Sequence, residues 1–220
     1  MAVKVFVSVG RTSTPEQEQH VERIFGLLRT QGLDPCCVGR TSFSSKSPLT
    51  QIRDEMKTCS GVVIIAFERL LIDSGTERRG SPDAVKLVDQ KLPTVWNQIE
   101  AAMAYVQDKP LLVLVERGLR LEGLLESNYD WFVHQMALTS ESVASNELLG
   151  RFTDWKRRVE ELASNPSKAA AASDVEKITL GQLISSLTLK QLWGAGSAIL
   201  VFLGALITLS AKFGPQFLGH

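Results

Sequence analysis

Three stretches of this chain are apolar almost without interruption and rich in β-branched residues: Val3-Lys-Val-Phe-Val-Ser-Val9, Gly61-Val-Val-Ile-Ile-Ala66 and Pro110-Leu-Leu-Val-Leu-Val115. A strand with one wet face alternates apolar and polar residues, whereas a run without alternation is buried on both faces. That is the position of a strand in a parallel sheet covered by helices. The segments between the runs have helical spacing. Residues 15–31 carry Val21, Ile24, Phe25 and Leu28, and Gly32 closes the helix. Pro48 opens a second helix through Ile52 and Met56, and Pro93 opens a third that runs to about Val106. Leu33–Val38 and Trp131–Leu138 supply two further strands, and Phe152, Trp155, Val159 and Leu162 mark a last amphipathic helix. Strand and helix in alternation predict an α/β fold, a flavodoxin-like, doubly wound parallel sheet of about five strands. The charged stretch Glu68–Lys91, broken by Gly75, Gly80 and Pro82, reads as a long connection.

Beyond residue 164 the character changes. Ser164–Ser173 is rich in Ala and Ser and contains Pro166, as a linker would. Thr179-Leu-Gly-Gln-Leu183 and Thr188-Leu-Lys-Gln-Leu192 are two copies of a short motif, each offering a Thr N-cap. Leu192–Ala211 is uncharged, bracketed by Lys190 and Lys212, and edged by Trp193. Its length matches the roughly 20 residues, or about 30 Å, that a helix needs to cross a bilayer core. The expected organisation is therefore an α/β domain over 1–164, a linker with a short amphipathic helix over 165–190, a transmembrane helix over 191–212 and a short tail over 213–220. Only eight residues follow Lys212, so the segment is expected to be a single-pass tail anchor with the α/β domain in the cytoplasm. Gly196 and Gly204 share a face that permits close helix approach, and a homo-oligomer is expected from it.

Charge excludes one broad class of partner. The 24 basic residues are balanced by 24 acidic ones, so no electrostatic footprint for nucleic acid exists. Cys36, Cys37 and Cys59 are too few and too irregular for a disulfide framework, and read as buried thiols in a reducing compartment. His20 and His134 lack Cys or acidic companions at ligand spacing, so no metal is assigned.

In open parallel sheets ligands bind at the carboxyl ends of the strands. Ser8, Gly10 and Arg11 lie at that end of the first strand, Arg40 follows the second, and Phe67, Glu68 and Arg69 follow the third. Gly10 permits close backbone approach to a phosphate, and Arg11, Arg40 or Arg69 could grip a diphosphate bidentately or serve as plain surface arginines. On the helix after Pro93, Trp96 and Glu100 are four apart and share a face, with Asn97 beside them. A ring that stacks on a base, beside a carboxylate that meets a ribose, suits a nucleotide. The alternative is that Trp96 plugs the core and Glu100 is a solvated acid. Ile99, Ala102, Met103 and Val106 are expected to pack on the sheet. Glu116–Arg120 and Glu126–Asp130 are expected to form a lid or a partner surface.

The first strand with Ser8 and Gly10, the helix Pro48–Met56, and the strand Gly61–Ala66 followed by Trp96-Asn-Gln-Ile-Glu100 resemble the TIR domain layout. Glu100-Ala-Ala-Met-Ala-Tyr105 followed by Lys109-Pro-Leu-Leu-Val is also similar to the nucleoside 2-deoxyribosyltransferase group. The resemblance covers about residues 3–138. It implies that Glu100 is a catalytic carboxylate, acting at the anomeric carbon or stabilising an oxocarbenium-like centre. It further implies cleavage of the base–ribose bond of NAD or a related nucleotide, with no resident cofactor, in antiviral defence or immune-like signalling. The chain departs from those families at Ala102 or Met103, where the transferases carry glycine, and in its longer, more charged connection over 67–92. A non-catalytic nucleotide sensor that oligomerises and perturbs the membrane is the competing expectation, and a protein-binding scaffold the third.

Truncation after about residue 165 is expected to convert a membrane-pelleting protein into a soluble, folded one. Pelleting of the two forms after expression tests this, and a freely soluble full-length chain would contradict the anchor.

Overall fold

The computed structural model describes residues 2–126 and 131–165. The elements run β1 (Val3–Val9), α1 (Pro15–Thr30), β2 (Leu33–Cys36), α2 (Pro48–Thr58), β3 (Val62–Ala66), β4 (Leu70–Glu77), β5 (Val85–Leu92), α3 (Val95–Tyr105), β6 (Leu111–Glu116), β7 (Val133–Met136), α4 (Ser140–Val143) and α5 (Asn146–Ser164). Five strands form one parallel sheet in the order β2-β1-β3-β6-β7, which is consistent with a flavodoxin-like winding. The expected transmembrane helix, Leu192–Ala211, lies outside the described residues. Among the described residues no helix is long and apolar enough to cross a membrane.

Alternation along each strand divides the core in two. Val5, Val7, Val63, Ile65, Leu112 and Leu114 meet α1 and α5 on one face, while Phe6, Val62, Ile64, Val113 and Val115 meet α2 and α3 on the other. Thr14 caps α1, its hydroxyl accepting from the Gln17 N–H at 3.3 Å, and Pro15 fits the first turn. Gly61 enters β3 directly against Trp155 and Val159 of α5, where any Cβ would collide with the Val159 side chain. The Trp155 Nε1–H donates to the Pro110 carbonyl at 3.0 Å, fixing α5 to the start of β6.

Two expectations need correction. The stretch Glu68–Lys91 is no irregular connection but an antiparallel hairpin, β4 paired with β5 from Leu70↔Leu92 to Glu77↔Val85. Its turn holds Arg78 at φ 51° and Gly80 at φ 85°. The ladder skips Asp73 and Asp89, and Asp89 stands in the left-handed region at φ 49°. Leu70, Leu71, Val85 and Val88 are exposed on it. The hairpin is held to the body by the Arg120 N–H donating to the Lys91 carbonyl at 2.8 Å and by the Arg120–Glu77 ion pair at 2.6 Å. The inner face of α3 also differs: Asn97, Glu100, Ala101 and Ala104 are buried, while Val106 is exposed and Ile99, Ala102 and Met103 only half-buried. Small residues toward the sheet let this helix sit close to it. Thr94, rather than Pro93, starts it, the Thr94 hydroxyl accepting from the Trp96 N–H at 3.4 Å.

His20 of α1 is fully buried, edge-on to Phe67 with centroids 6.1 Å apart, and its Nε2 lies 3.4 Å from the Met136 sulfur. Burial, with the Arg23 charge adding to it, lowers its pKa from 6.5 to about 4. The unfolded chain therefore takes up the proton first as pH falls, so stability declines between about 6.5 and 4, by up to ~1.4 kcal/mol per pH unit. Denaturant melts of the wild type and His20→Leu over this range are expected to diverge with that slope, and parallel curves would contradict the assignment.

Candidate functional site

The sheet reverses its winding between β1 and β3, the position where open α/β sheets leave a crevice at the strand ends. Ser8 is the last residue of β1 facing α3; it is buried and in register with Ile64. Asn97, on the first turns of α3, spans the two strands: its Nδ2 donates to Ser8 Oγ at 3.0 Å and to the Ile65 carbonyl at 3.3 Å. One turn further along α3 lies Glu100, and the Ser8 hydroxyl donates to its carboxylate. Gly10 follows at the exit from β1, where an added Cβ would stand 3.0 Å from Thr94 Cγ2. The missing side chain is what lets the chain leave β1 against the cap of α3.

Glu100 is not the solvated acid that composition would suggest. It is only 8% exposed, and no cation pairs with it among the described residues. Burial pushes its pKa up to about 7, and the hydroxyl of Ser8 offsets this only in part. The Cys37 thiol, buried in the core formed with α1 and α5, is pushed up to about 12, chiefly by burial. At neutral pH the site thus holds an acid near half-protonation.

The residues singled out from sequence divide into groups. Ser8, Gly10, Asn97 and Glu100 come together at the β1–β3 crevice. Trp96 sits at the start of α3 and is 42% exposed, so it neither plugs the core nor is closed off from a ligand. Arg11 and Arg69 are exposed. Arg40 is committed elsewhere: its Nη1 and Nη2 donate to the two Glu18 carboxylate oxygens at 2.7 and 2.8 Å. This bidentate pair, with Thr12 donating to Glu18, ties the turn after β2 to α1 and holds the Glu18 carboxyl down at about 2. Phe67 faces away from Glu100, in the core formed with α1 and α5.

Glu116, expected from sequence to belong to a lid or partner surface, is the last residue of β6. At the end of β6 its carboxylate accepts from the Glu68 N–H at 2.8 Å, while Glu68 pairs with Lys91 at 2.7 Å and its carbonyl accepts from Gln17 Nε2 at 3.3 Å. These contacts anchor the base of the hairpin beside the crevice. The available signal was an acid at the carboxyl end of an apolar strand. No three His, Cys, Asp or Glu side chains are placed to share a metal ion among the described residues. Comparison with protein-family models and with characterised proteins finds no match to this chain.

Proposed function

We propose that the crevice between β1 and β3 is a nucleotide site in which Glu100 promotes cleavage of the base–ribose bond, the reaction of a membrane-anchored, TIR-like N-glycosidase. The observation that carries this reading is the buried Glu100 carboxyl at the winding reversal, joined to β1 through Ser8 and flanked by Asn97. A carboxyl in a poorly solvated place is worth more against developing positive charge on a sugar than one in water. Trp96, half out of the surface four residues before Glu100, offers a face on which a base stacks. Arg11 and Arg69, both exposed, supply charge for phosphates. The substrate is NAD or a related nucleotide, and the setting is antiviral defence or immune-like signalling at a membrane reached through Leu192–Ala211.

A second reading draws on the hairpin. Two strands alone are marginal in water, and this pair exposes Leu70, Leu71, Val85 and Val88. That surface favours a sensor in which nucleotide binding promotes association of the domains without cleavage.

Glu100→Gln separates the two. Turnover of NAD or another nucleotide is expected to fall by about 10²–10³-fold, equivalent to ~3–4 kcal/mol of transition-state stabilisation, with nucleotide binding retained. Unchanged biological activity in this variant, with loss in Trp96→Ala, would remove the enzyme and leave the sensor. Stability moves the other way. The folded state favours the protonated form of Glu100, so its cost to the fold appears as pH rises through about 7. Glu100→Gln is therefore expected to unfold later than wild type at pH 8 and to lose that advantage by about pH 4.5.

A further inference from the structure

We propose that Asn97 and Glu100 read the N7 and 6-amino edge of adenine, Glu100 giving its carboxyl proton to N7 while Asn97 Oδ1 accepts from the amino group, so that the substrate is an adenine nucleotide and the base released is adenine. The inference rests on the glycosidase reading above and assigns its substrate class.

The orientation of the Asn97 amide is determined by its surroundings. The Ile65 carbonyl only accepts, so the NH₂ group must face it, and the second NH₂ contact is to Ser8 Oγ. Oδ1 is thereby left as an acceptor with no partner, on a side chain 1% exposed. Native folds rarely leave such an atom unpaired, because an unmade buried hydrogen bond is unfavourable. Glu100 is three residues on and shares this face of α3. Among the described residues the Ser8 hydroxyl is the side chain that favours its charged form, and burial favours the form that carries a proton. The other polar group on its face of α3 is the Asn97 amide, whereas the Cys37 thiol after β2 packs in the core formed with α1 and α5. The nearest arginine of that turn, Arg40, is neutralised by Glu18.

An acceptor and a proton donor three residues apart on the buried face of α3 match a ligand edge that offers a donor and an acceptor. Adenine presents its 6-amino group and N7 in that arrangement, whereas guanine presents two acceptors, O6 and N7. With guanine, Asn97 Oδ1 would face another oxygen lone pair. Nicotinamide already leaves as a neutral base from a cationic ring and needs no proton. Because Asn97 Oδ1 is covered in the ligand-free fold, the base reaches it by displacing the side chains over it while the amide keeps its contacts to Ser8 and the Ile65 carbonyl.

The chemistry balances without a co-reactant other than water. Glu100 donates its proton to N7, and the C1′–N9 bond breaks with its electron pair passing to the base. Water adds at C1′, and its surplus proton returns to the Glu100 carboxylate. The products are the ribose phosphate and adenine protonated at N7.

The test uses the full-length chain in detergent with AMP, GMP and NAD, quantifying free bases between about pH 5.5 and 8.5. The expected result is adenine release from AMP exceeding guanine release from GMP by about 10- to 100-fold. The rate should fall as pH rises through about 7. From NAD, adenine rather than nicotinamide is expected. Nicotinamide release that accelerates through that pH would show the carboxylate to be the active form, overturning this inference while keeping the glycosidase. Equal release of adenine and guanine would overturn the edge reading alone. No base from any of the three would overturn both.

Discussion

The side-chain amide of Asn97 joins two strands and a helix at the one place where the sheet changes direction. Its NH₂ reaches Ser8 on β1 and the Ile65 carbonyl on β3, so the first turns of α3 cannot slide along the sheet without breaking both. Everything proposed about function depends on this placement, because it sets Glu100 one turn deeper and Trp96 at the rim. Ala101 and Ala104 complete the same inner face, and their small size brings the helix near enough for the amide to reach. Gly10 contributes from the other side, leaving room for the Thr94 methyl where a side chain would stand.

Burial then does to Glu100 what a neighbouring cation would have undone. Arg40, the arginine of the nearby turn after β2, is locked on Glu18, while Arg11 and Arg69 face solvent. The acid is left with a hydroxyl for company and titrates near neutrality. His20, buried beneath the other face of the sheet, is displaced in the opposite sense. Between about pH 4.5 and 6.5 the folded state holds a proton on Glu100 that the unfolded chain lacks, and lacks one on His20 that the unfolded chain holds. The two contributions to the pH dependence of stability therefore oppose each other across that window.

Much of the fold was legible because burial on both faces leaves an unmistakable pattern. Val62–Ala66 and Leu111–Glu116 carry no alternation, and the sheet that contains them is parallel and covered twice. The helical spacing of Val21, Ile24, Phe25 and Leu28 marked α1, and those four are the hydrophobic residues it buries against the sheet. The β4–β5 hairpin escaped this reading because it buries neither face: Asp73 ends the short run Leu70-Leu-Ile72, Lys86 interrupts Val85–Val88, and the pattern reports burial rather than extension. The signal that was available is the pair of β-branched or leucine-rich segments on either side of Gly80 and Pro82. On α3 the spacing of Trp96 and Glu100 identified the right helix, but hydrophobicity ranked Ile99 and Met103 as inner residues when Asn97 and two alanines hold that place. Glu100 could be located in the sequence, whereas its burial could not, since a lone acid on a helix is ordinarily solvated.

The central claim is that Glu100 is a neutral-leaning acid in a nucleotide crevice, and carboxyl-carbon NMR of the selectively labelled domain measures it directly. Titration of the Glu100 signal is expected to centre at about pH 7 and to move when AMP is added. A midpoint near the ordinary glutamate value of about 4.3, unmoved by AMP, would contradict the account.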